Sequence, residues 1–306
     1  MNIFKITLFL SLIYPLTIFS QDPEFTQFYS APLYLNPSFA GSAGCSRVAL
    51  NYRNEWPAIS GTFVTFHLSY DQYVHPLRGG IGYDSWYDFA GEGTYSTYYN
   101  GLIYSPKFQL KNKISIAPAI KFGNIYKKIY WNSFSNPNYP EESTNSQLDI
   151  SAGVLVHTVK LYVGFAVDHI NQPKEGFIVV DNAKLPAILT FHSGYVYQRN
   201  EDSYFSFSPN IIYKKQQDFQ QINIGLFINR GKITVGVWYK QAQKNSDTFI
   251  VAVGFQHRWI RFGYGYDITL SKLSNASAGS HEVSLRFLFN CKNKEDKIIQ
   301  LTNIAF

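Results

Sequence analysis

The chain has 306 residues, 45% of them hydrophobic and 17% aromatic, with 27 Lys and Arg against 21 Asp and Glu for a formal charge of +6. That basic excess is spread along the chain rather than gathered into a patch, which argues against a nucleic-acid footprint. The seven histidines fall at scattered positions without an H-x-x-x-H or similar spacing, so neither a metal site nor a cofactor is expected.

The first twenty residues read as an export leader. Lys5 supplies a positive charge, Ile6 to Phe19 an apolar stretch, and Ser20 a small residue at which to cut, leaving Gln21 as the mature start. Pro15 and the short length weigh against a membrane-spanning helix, which needs about 20 apolar residues. No later stretch is long and apolar enough to span as a helix. The two cysteines, Cys45 and Cys291, must then coexist with an oxidising compartment.

Residues 21–44 do not alternate between apolar and polar. They carry three prolines and several aromatics, too apolar a mixture for a free tail. Such a segment must pack: at the mouth of the domain, as a plug, or against a partner. From Ser46 onward the chain changes character. Val48, Leu50 and Tyr52 alternate with Ala49, Asn51 and Arg53, the period of two that places opposite residues on opposite faces of a strand. The pattern recurs fourteen times, near 46–54, 62–71, 80–87, 95–104, 113–123, 147–157, 160–168, 187–198, 203–213, 221–229, 232–239, 249–257, 260–267 and 281–289. Such lengths suit tilted strands crossing a hydrocarbon layer.

The connections sharpen the reading. Thr158-Val159, Asn200 to Asp202, Arg230-Gly231 and Arg258-Trp259 are tight, whereas Asn124 to Ser146, His169 to Pro186, Gln241 to Thr248 and Ile268 to Ser280 are long. Tight turns on one side and long loops on the other are the mark of an outer-membrane barrel, with the tight turns periplasmic and the long loops extracellular. Gln72 to Gly79 and Ser105 to Asn112 depart from the rule. An even strand count places both termini in the periplasm. The fold expected is therefore all-β: a closed antiparallel transmembrane β-barrel of about 14 strands. The expected organisation is a signal peptide (1–20) and one barrel domain (21–306), divided into a plug or rim segment (21–44), the barrel (45–289) and a periplasmic tail (290–306).

Parity assigns the charges. Arg53, Asp71, Asp84, Lys121, Asp149, Asp168, Arg261, Asp267, Glu282 and Arg286 share the polar parity of their strands. A lipid-facing charge near the bilayer midplane costs roughly 2–4 kcal/mol, so the shared parity supports a lumen filled by ion pairs. Catalysis finds no foothold: Ser280, His281 and Glu282 are consecutive on a strand and point to alternate faces. Gly79, Gly80 and Gly82 open no phosphate-binding helix.

The run QFYSAPLYLNPSFAGS (Gln27 to Ser42), with YRNEW (Tyr52 to Trp56), LSYDQ (Leu68 to Gln72), RGGIGYDSWYDFAGEG (Arg78 to Gly93), SPNIIYK (Ser208 to Lys214), GYGYDITLSKL (Gly263 to Leu273) and GSHEVSLRF (Gly279 to Phe287), resembles the PorP/SprF family. These are outer-membrane barrels of the type IX secretion system and gliding machinery of Bacteroidetes. The resemblance covers nearly the whole mature chain and is loosest from Ile125 to Pro186. It implies an accessory barrel rather than an enzyme, acting as scaffold or surface anchor for secreted proteins. Implied partners are outer-membrane lipid, type IX secretion components, a periplasmic lipoprotein, or a large adhesin with a C-terminal signal domain. The motif residues to watch are Asn36, Pro37, Gly41, Arg53, Asn54, Trp56, Gly265, Asp267, Gly279, His281 and Glu282.

Asn36-Pro37 should turn the chain, Gly41 should let it bend into the first strand, and Trp56 suits a membrane interface. Cys45 precedes the first strand and Cys291 follows the last, neighbours in a closed barrel, so a disulfide there would staple the seam. Against it stands their opposite parity, since a bridge needs Cα atoms within about 7 Å. The runner-up function is transport of small hydrophobic molecules, because fatty-acid-transport barrels also have fourteen strands and an N-terminal hatch.

Overall fold

The computed structural model describes residues 22–61, 63–110, 114–131, 141–177, 183–198, 204–242, 248–270, 278–289 and 291. The leader, the turn at Asn200 to Asp202 and the tail beyond Cys291 lie outside them. Among the described residues sixteen strands follow one another: β1 Ser46–Glu55, β2 Phe63–Val74, β3 Gly79–Ala90, β4 Tyr95–Pro106, β5 Phe108–Leu110, β6 Ile114–Tyr130, β7 Glu142–His157 and β8 Leu161–Asp168. After them come β9 Ile188–Tyr195, β10 Tyr197–Gln198, β11 Phe205–Gln216, β12 Phe219–Arg230, β13 Ile233–Ala242, β14 Thr248–His257, β15 Ile260–Thr269 and β16 Ser280–Phe289. Fourteen of them form a closed antiparallel ring, sealed where β1 pairs with β16 from Ser46↔Phe289 to Glu55↔Ser280. The short β5 and β10 stand outside the ring, paired to the first residues of β6 and β11.

The wall follows the alternation. Leu50, Phe66, Leu68, Leu102, Phe122, Leu148, Phe165 and Phe255 point outward and are exposed, as a lipid-facing band requires. Arg53, Asp71, Asp84, Lys121, Asp149, Asp267, Glu282 and Arg286 are buried inside, and Asp168 and Arg261 are half-buried. No described helix is long and apolar enough to cross a membrane; the strands do the crossing.

Four sequence expectations need correction. The segment Asn124 to Ser146 is not a long loop from its start, because β6 and β7 stay paired from Ser115↔His157 out to Tyr130↔Glu142. Lys127, Lys128, Asn145 and Ser146 put polar residues on both faces there, so the apolar alternation fades while the hydrogen-bonded ladder continues. The single strand expected at 187–198 is interrupted at Val196. The connection after β2 shortens to a 3-10 turn, His75–Leu77, and Arg78, while β5 takes up part of the connection after β4. Finally, loop length at the long-loop end is uneven, since β11 and β12 are joined by Gln217-Asp218 alone.

Residues Asp22 to Gly44 fill the lumen. One helical turn (Pro32–Leu35) and one 3-10 turn (Pro37–Phe39) are the only helical pieces of this described segment. Phe28, Tyr29, Leu33, Leu35 and Phe39 pack against Ile103, Leu155, Tyr162, Ile212, Phe227, Trp238 and Ile250 of the inner wall. Edge-to-face ring contacts join Phe28 to Trp238 (4.6 Å) and Tyr29 to Phe227 (4.4 Å), geometry favoured by the ring quadrupoles. The segment starts among the long-loop ends of the strands, where Asp22 meets His169. It leaves at the tight-turn end, where the Gly41 N–H donates to Asp71 Oδ2 at 2.7 Å. The first described residue therefore lies at the opposite end of the barrel from Cys45. Gly41 adopts φ +70° and passes so close to Gly80 that a Cβ on Gly80 would stand 2.0 Å from the Ala40 carbonyl oxygen. Backbone opposes backbone at that point, and only glycine fits.

Candidate functional site

The motif fragments picked out in the sequence meet at the β15–β16–β1 seam. Arg53 stands directly across from Glu282, Asn54 from His281, and Gly265 from Glu282 on the other side. Four side chains join there: Arg53 pairs with Asp267 at 3.0 Å and with Glu282 at 3.6 Å, and Arg53 Nε donates to Glu55 at 2.6 Å. The plug docks on this cluster. The Thr26 and Gln27 backbone N–H groups donate to the two Glu282 oxygens at 2.6 and 3.1 Å. Gln27 Nε2 donates to the Glu282 carbonyl, and Asn51 Nδ2 donates to the Glu282 carboxylate. Thr26 Oγ1 donates to Asp267 and accepts from Arg53. Gly265 lies alongside Gln27, where a Cβ would stand 3.2 Å from Gln27 Cγ.

The remaining motif residues are placed elsewhere. Asn36, fully buried, accepts from the Ser38 N–H, donates to the Phe165 carbonyl at 3.2 Å, and lies 2.9 Å from His192 Nε2. Its side chain occupies room left by Gly153 and Gly164, since a Cβ on Gly153 would come within 2.2 Å of Asn36 Oδ1. Pro37 opens the 3-10 turn. Asn54 and His281 share the outward parity at the rim of the seam, where His281 Nδ1 is 2.8 Å from the Tyr264 hydroxyl. Trp56 has φ +52°, donates its N–H to the Gly279 carbonyl and meets Phe63 edge-on. Cys45 and Cys291 form a disulfide with Cα atoms 4.3 Å apart. It pins the chain just beyond β16 to the point where the plug becomes β1.

Arg47, Lys107 and His67 were not singled out in the sequence. Arg47 forms a buried two-point pair with Asp71, with Nε–Oδ1 at 2.7 Å and Nη2–Oδ2 at 3.1 Å, and also donates to the Phe39 carbonyl. Lys107 Nζ donates to the Ser38 carbonyl at 2.8 Å. His67 and Lys121 share Asp84. Strand parity could have flagged Arg47 and His67, which lie two residues from Ala49 and Ser69 on the inward face. Thr26 and Gln27 carried no such signal, because their partners are about 250 residues away in sequence.

At the long-loop end, His169 bridges wall and plug. Its Nδ1 lies 2.8 Å from Asp149 Oδ1 and its Nε2 lies 2.7 Å from Asp22 Oδ2. Burial alone would lower the imidazole pKa, but Asp22 and Asp149 outweigh it and carry it up to about 10. Burial would raise the Glu24 carboxyl, yet Lys214 and Lys240 hold it down to about 2. The His169 contribution is therefore complete below the ordinary pKa near 6.5 and is lost as pH rises through about 10. Urea unfolding in micelles is expected to show stability falling between about pH 7 and about pH 10, with a shallower fall in His169→Gln. Equal slopes for the two proteins would contradict the bridge.

The β8–β9 connection caps this mouth. Asn145 donates to the Lys174 and Gly176 carbonyls, Lys127 pairs with Glu175, and Leu185 is buried between Trp86, Tyr99 and Ile125. Beneath it a cavity of about 50 Å³ remains, against roughly 10–15 Å³ needed for one water centre. A second hollow of about 370 Å³ lies on the outer wall between Leu50, Tyr52, Phe66, Leu68, Tyr87 and Tyr98.

A closed ring of fourteen strands, apolar outside and holding the described N-terminal segment in its lumen, defines an outer-membrane β-barrel. The family model described as type IX secretion system membrane protein PorP/SprF matches residues 17–287, and the chain belongs to that family. No curated protein matches the chain. Similar solved structures include the P. putida toluene transporter TodX, at 11% identity over 83% of this chain and 92% of that one, with a TM-score of 0.51. The CymD monoaromatic hydrocarbon channel is similar at 12% identity over 85% and 93%, with a TM-score of 0.51. At these identities the likeness concerns the fold alone.

Proposed function

We propose that this protein is a non-enzymatic accessory barrel of the type IX secretion system, a platform that holds or displays secreted proteins rather than a pore. The observation that carries the reading is the filled lumen. The plug packs on apolar side chains of the inner wall and is tied at Glu282, Asp267 and Asp71, with a cavity of about 50 Å³ beneath the mouth. A platform needs rigidity and accessible rims. The seam motif supports the first, since its charged groups face one another and the plug. The extended β6–β7 hairpin and the long loops supply surface for the second, and the long-loop end is taken as extracellular. Partners consistent with the family are other secretion components, a periplasmic lipoprotein, or a large adhesin bound through its C-terminal signal domain.

Hydrophobic transport is the second reading, favoured by the apolar hollow on the outer wall and the fold shared with hydrocarbon channels. A continuous ladder of paired strands separates that hollow from the lumen. Planar-bilayer recording on the purified intact protein distinguishes the two. The platform reading expects no steady conductance; sustained ohmic steps, or uptake of small hydrocarbons by loaded vesicles, would overturn it.

A further inference from the structure

The hollow on the outer wall lies between two rows of directly opposed side chains that face away from the lumen. The row nearer the long-loop end is Val283, Tyr52, Phe66, Tyr87 and Tyr98, and the next is Leu285, Leu50, Leu68, Ser85 and Asn100. Ser85 is the short member among large neighbours. It is 8% exposed, against 42% for Leu68 and 41% for Tyr87, so it forms a sunken floor while the ladder beneath it stays paired. Its hydroxyl donates to the Tyr99 carbonyl at 3.0 Å. Asn51 and His67, which border the floor, turn their side chains into the lumen toward Glu282 and Asp84. Water is a poor occupant here: it wants two to four polar partners, and the polar groups of the floor are taken within the wall. Left empty, the lining forfeits its dispersion contacts. The face is continuous with the apolar outer band, so hydrocarbon is what reaches it.

We infer that this hollow is a seat for one acyl chain of a bilayer lipid, lying across β16, β1, β2, β3 and β4 over Ser85. Its size fits: about 370 Å³ holds roughly a dozen groups of the 30 Å³ that a liquid water fills. Its length fits too. Five strands at a spacing of about 4.8 Å make a groove about 19 Å long. Spanning strands tilt by about 45°, so a groove at right angles to them climbs about 14 Å, close to one leaflet's half of a 30 Å hydrocarbon core. Within lipid no hydrophobic force selects an occupant, and packing decides. A chain in this seat meets the wall below and on both sides, whereas elsewhere it meets one surface only. The seat holds a chain and passes nothing inward, and it does so whether or not the barrel serves as a platform.

The test places the intact protein in phospholipid nanodiscs containing a phosphatidylethanolamine with a diazirine in its acyl chain. After photolysis, peptide mass spectrometry is expected to find adducts between Phe66 and Tyr87 in excess of those on β13, where Val235 and Val237 face outward and are exposed. Ser85→Trp fills the floor and is expected to cut the adducts at the hollow roughly tenfold, the scale of about ten lost carbon–carbon contacts. Val237→Trp on the far wall should leave them unchanged. Ser85→Leu, a smaller filling, is expected to give a smaller fall and keeps the test decisive if the tryptophan variant fails to fold. Even labelling around the wall, or a yield at the hollow that neither Ser85 variant moves, would overturn the proposal. So would a partner protein that shields both rows from the same probe in native outer membranes, which would make the face a protein contact.

Discussion

Replacing Glu282 by alanine is expected to lower the stability of the folded barrel by roughly 3–5 kcal/mol, the range for breaking a buried ion pair from one side. The reason lies in what Glu282 serves. It is fully buried and receives the Thr26 and Gln27 N–H groups, Asn51 and Arg53. Truncation would leave a buried guanidinium with one fewer carboxylate and two plug N–H groups without acceptors. Glu282→Gln keeps the shape and one acceptor oxygen, so its loss should be smaller. Urea unfolding in micelles reads the difference, and proteolysis of the plug reports whether that segment loosens first. A neutral Glu282→Ala would mean that the plug does not depend on the Glu282 anchor.

Removing the disulfide should have the next largest effect. Cys45 and Cys291 are 246 residues apart in sequence, and a cross-link closing so long a loop acts mainly on the unfolded chain. The folded seam already has its two strands paired from end to end. Cys291→Ser is therefore expected to cost about 2–4 kcal/mol while leaving the folded barrel and its lumen unchanged. Thiol labelling of the native protein should find no free cysteine until reductant is added. Two reactive thiols in the untreated protein would refute the staple.

The alternation of apolar and polar residues made the wall legible in the sequence because lipid enforces it: a charge on the outer face is too costly to survive there. That is why Arg53, Asp71 and Glu282 could be placed inside from parity alone. Where the constraint lapses, so does the signal. Lys127, Lys128 and Asn145 sit on the paired β6–β7 extension, and no apolar face marks that part of the ladder. The plug was legible as a segment that must pack, through Pro32, Asn36 and Pro37, but not in its direction. Nothing local to Asp22 announces His169, and nothing near Thr26 announces Glu282; those contacts exist only once the ring closes. The cysteines show the same limit, since opposite parity argued against a pair that the chain brings together just beyond the last strand.

The motif residues divide along the same line. Arg53, Asp267 and Glu282 converge because β15, β16 and β1 are neighbours, so fragments from both ends of the sequence form one anchor for the plug. Asn36 serves a second anchor across the lumen, against His192 and the β7 and β8 backbones. Asn54, Trp56 and His281 remain at the outer rim of the seam, where a platform would be touched.

The most direct measurement is affinity capture of the intact protein from detergent-solubilised outer membranes, with mass spectrometry of everything that accompanies it. A platform of the type IX secretion system should bring down a second secretion component or a large secreted protein, in amounts comparable to its own. Recovery of the barrel alone, with secretion and adhesion unchanged after its gene is deleted, would contradict the proposed role.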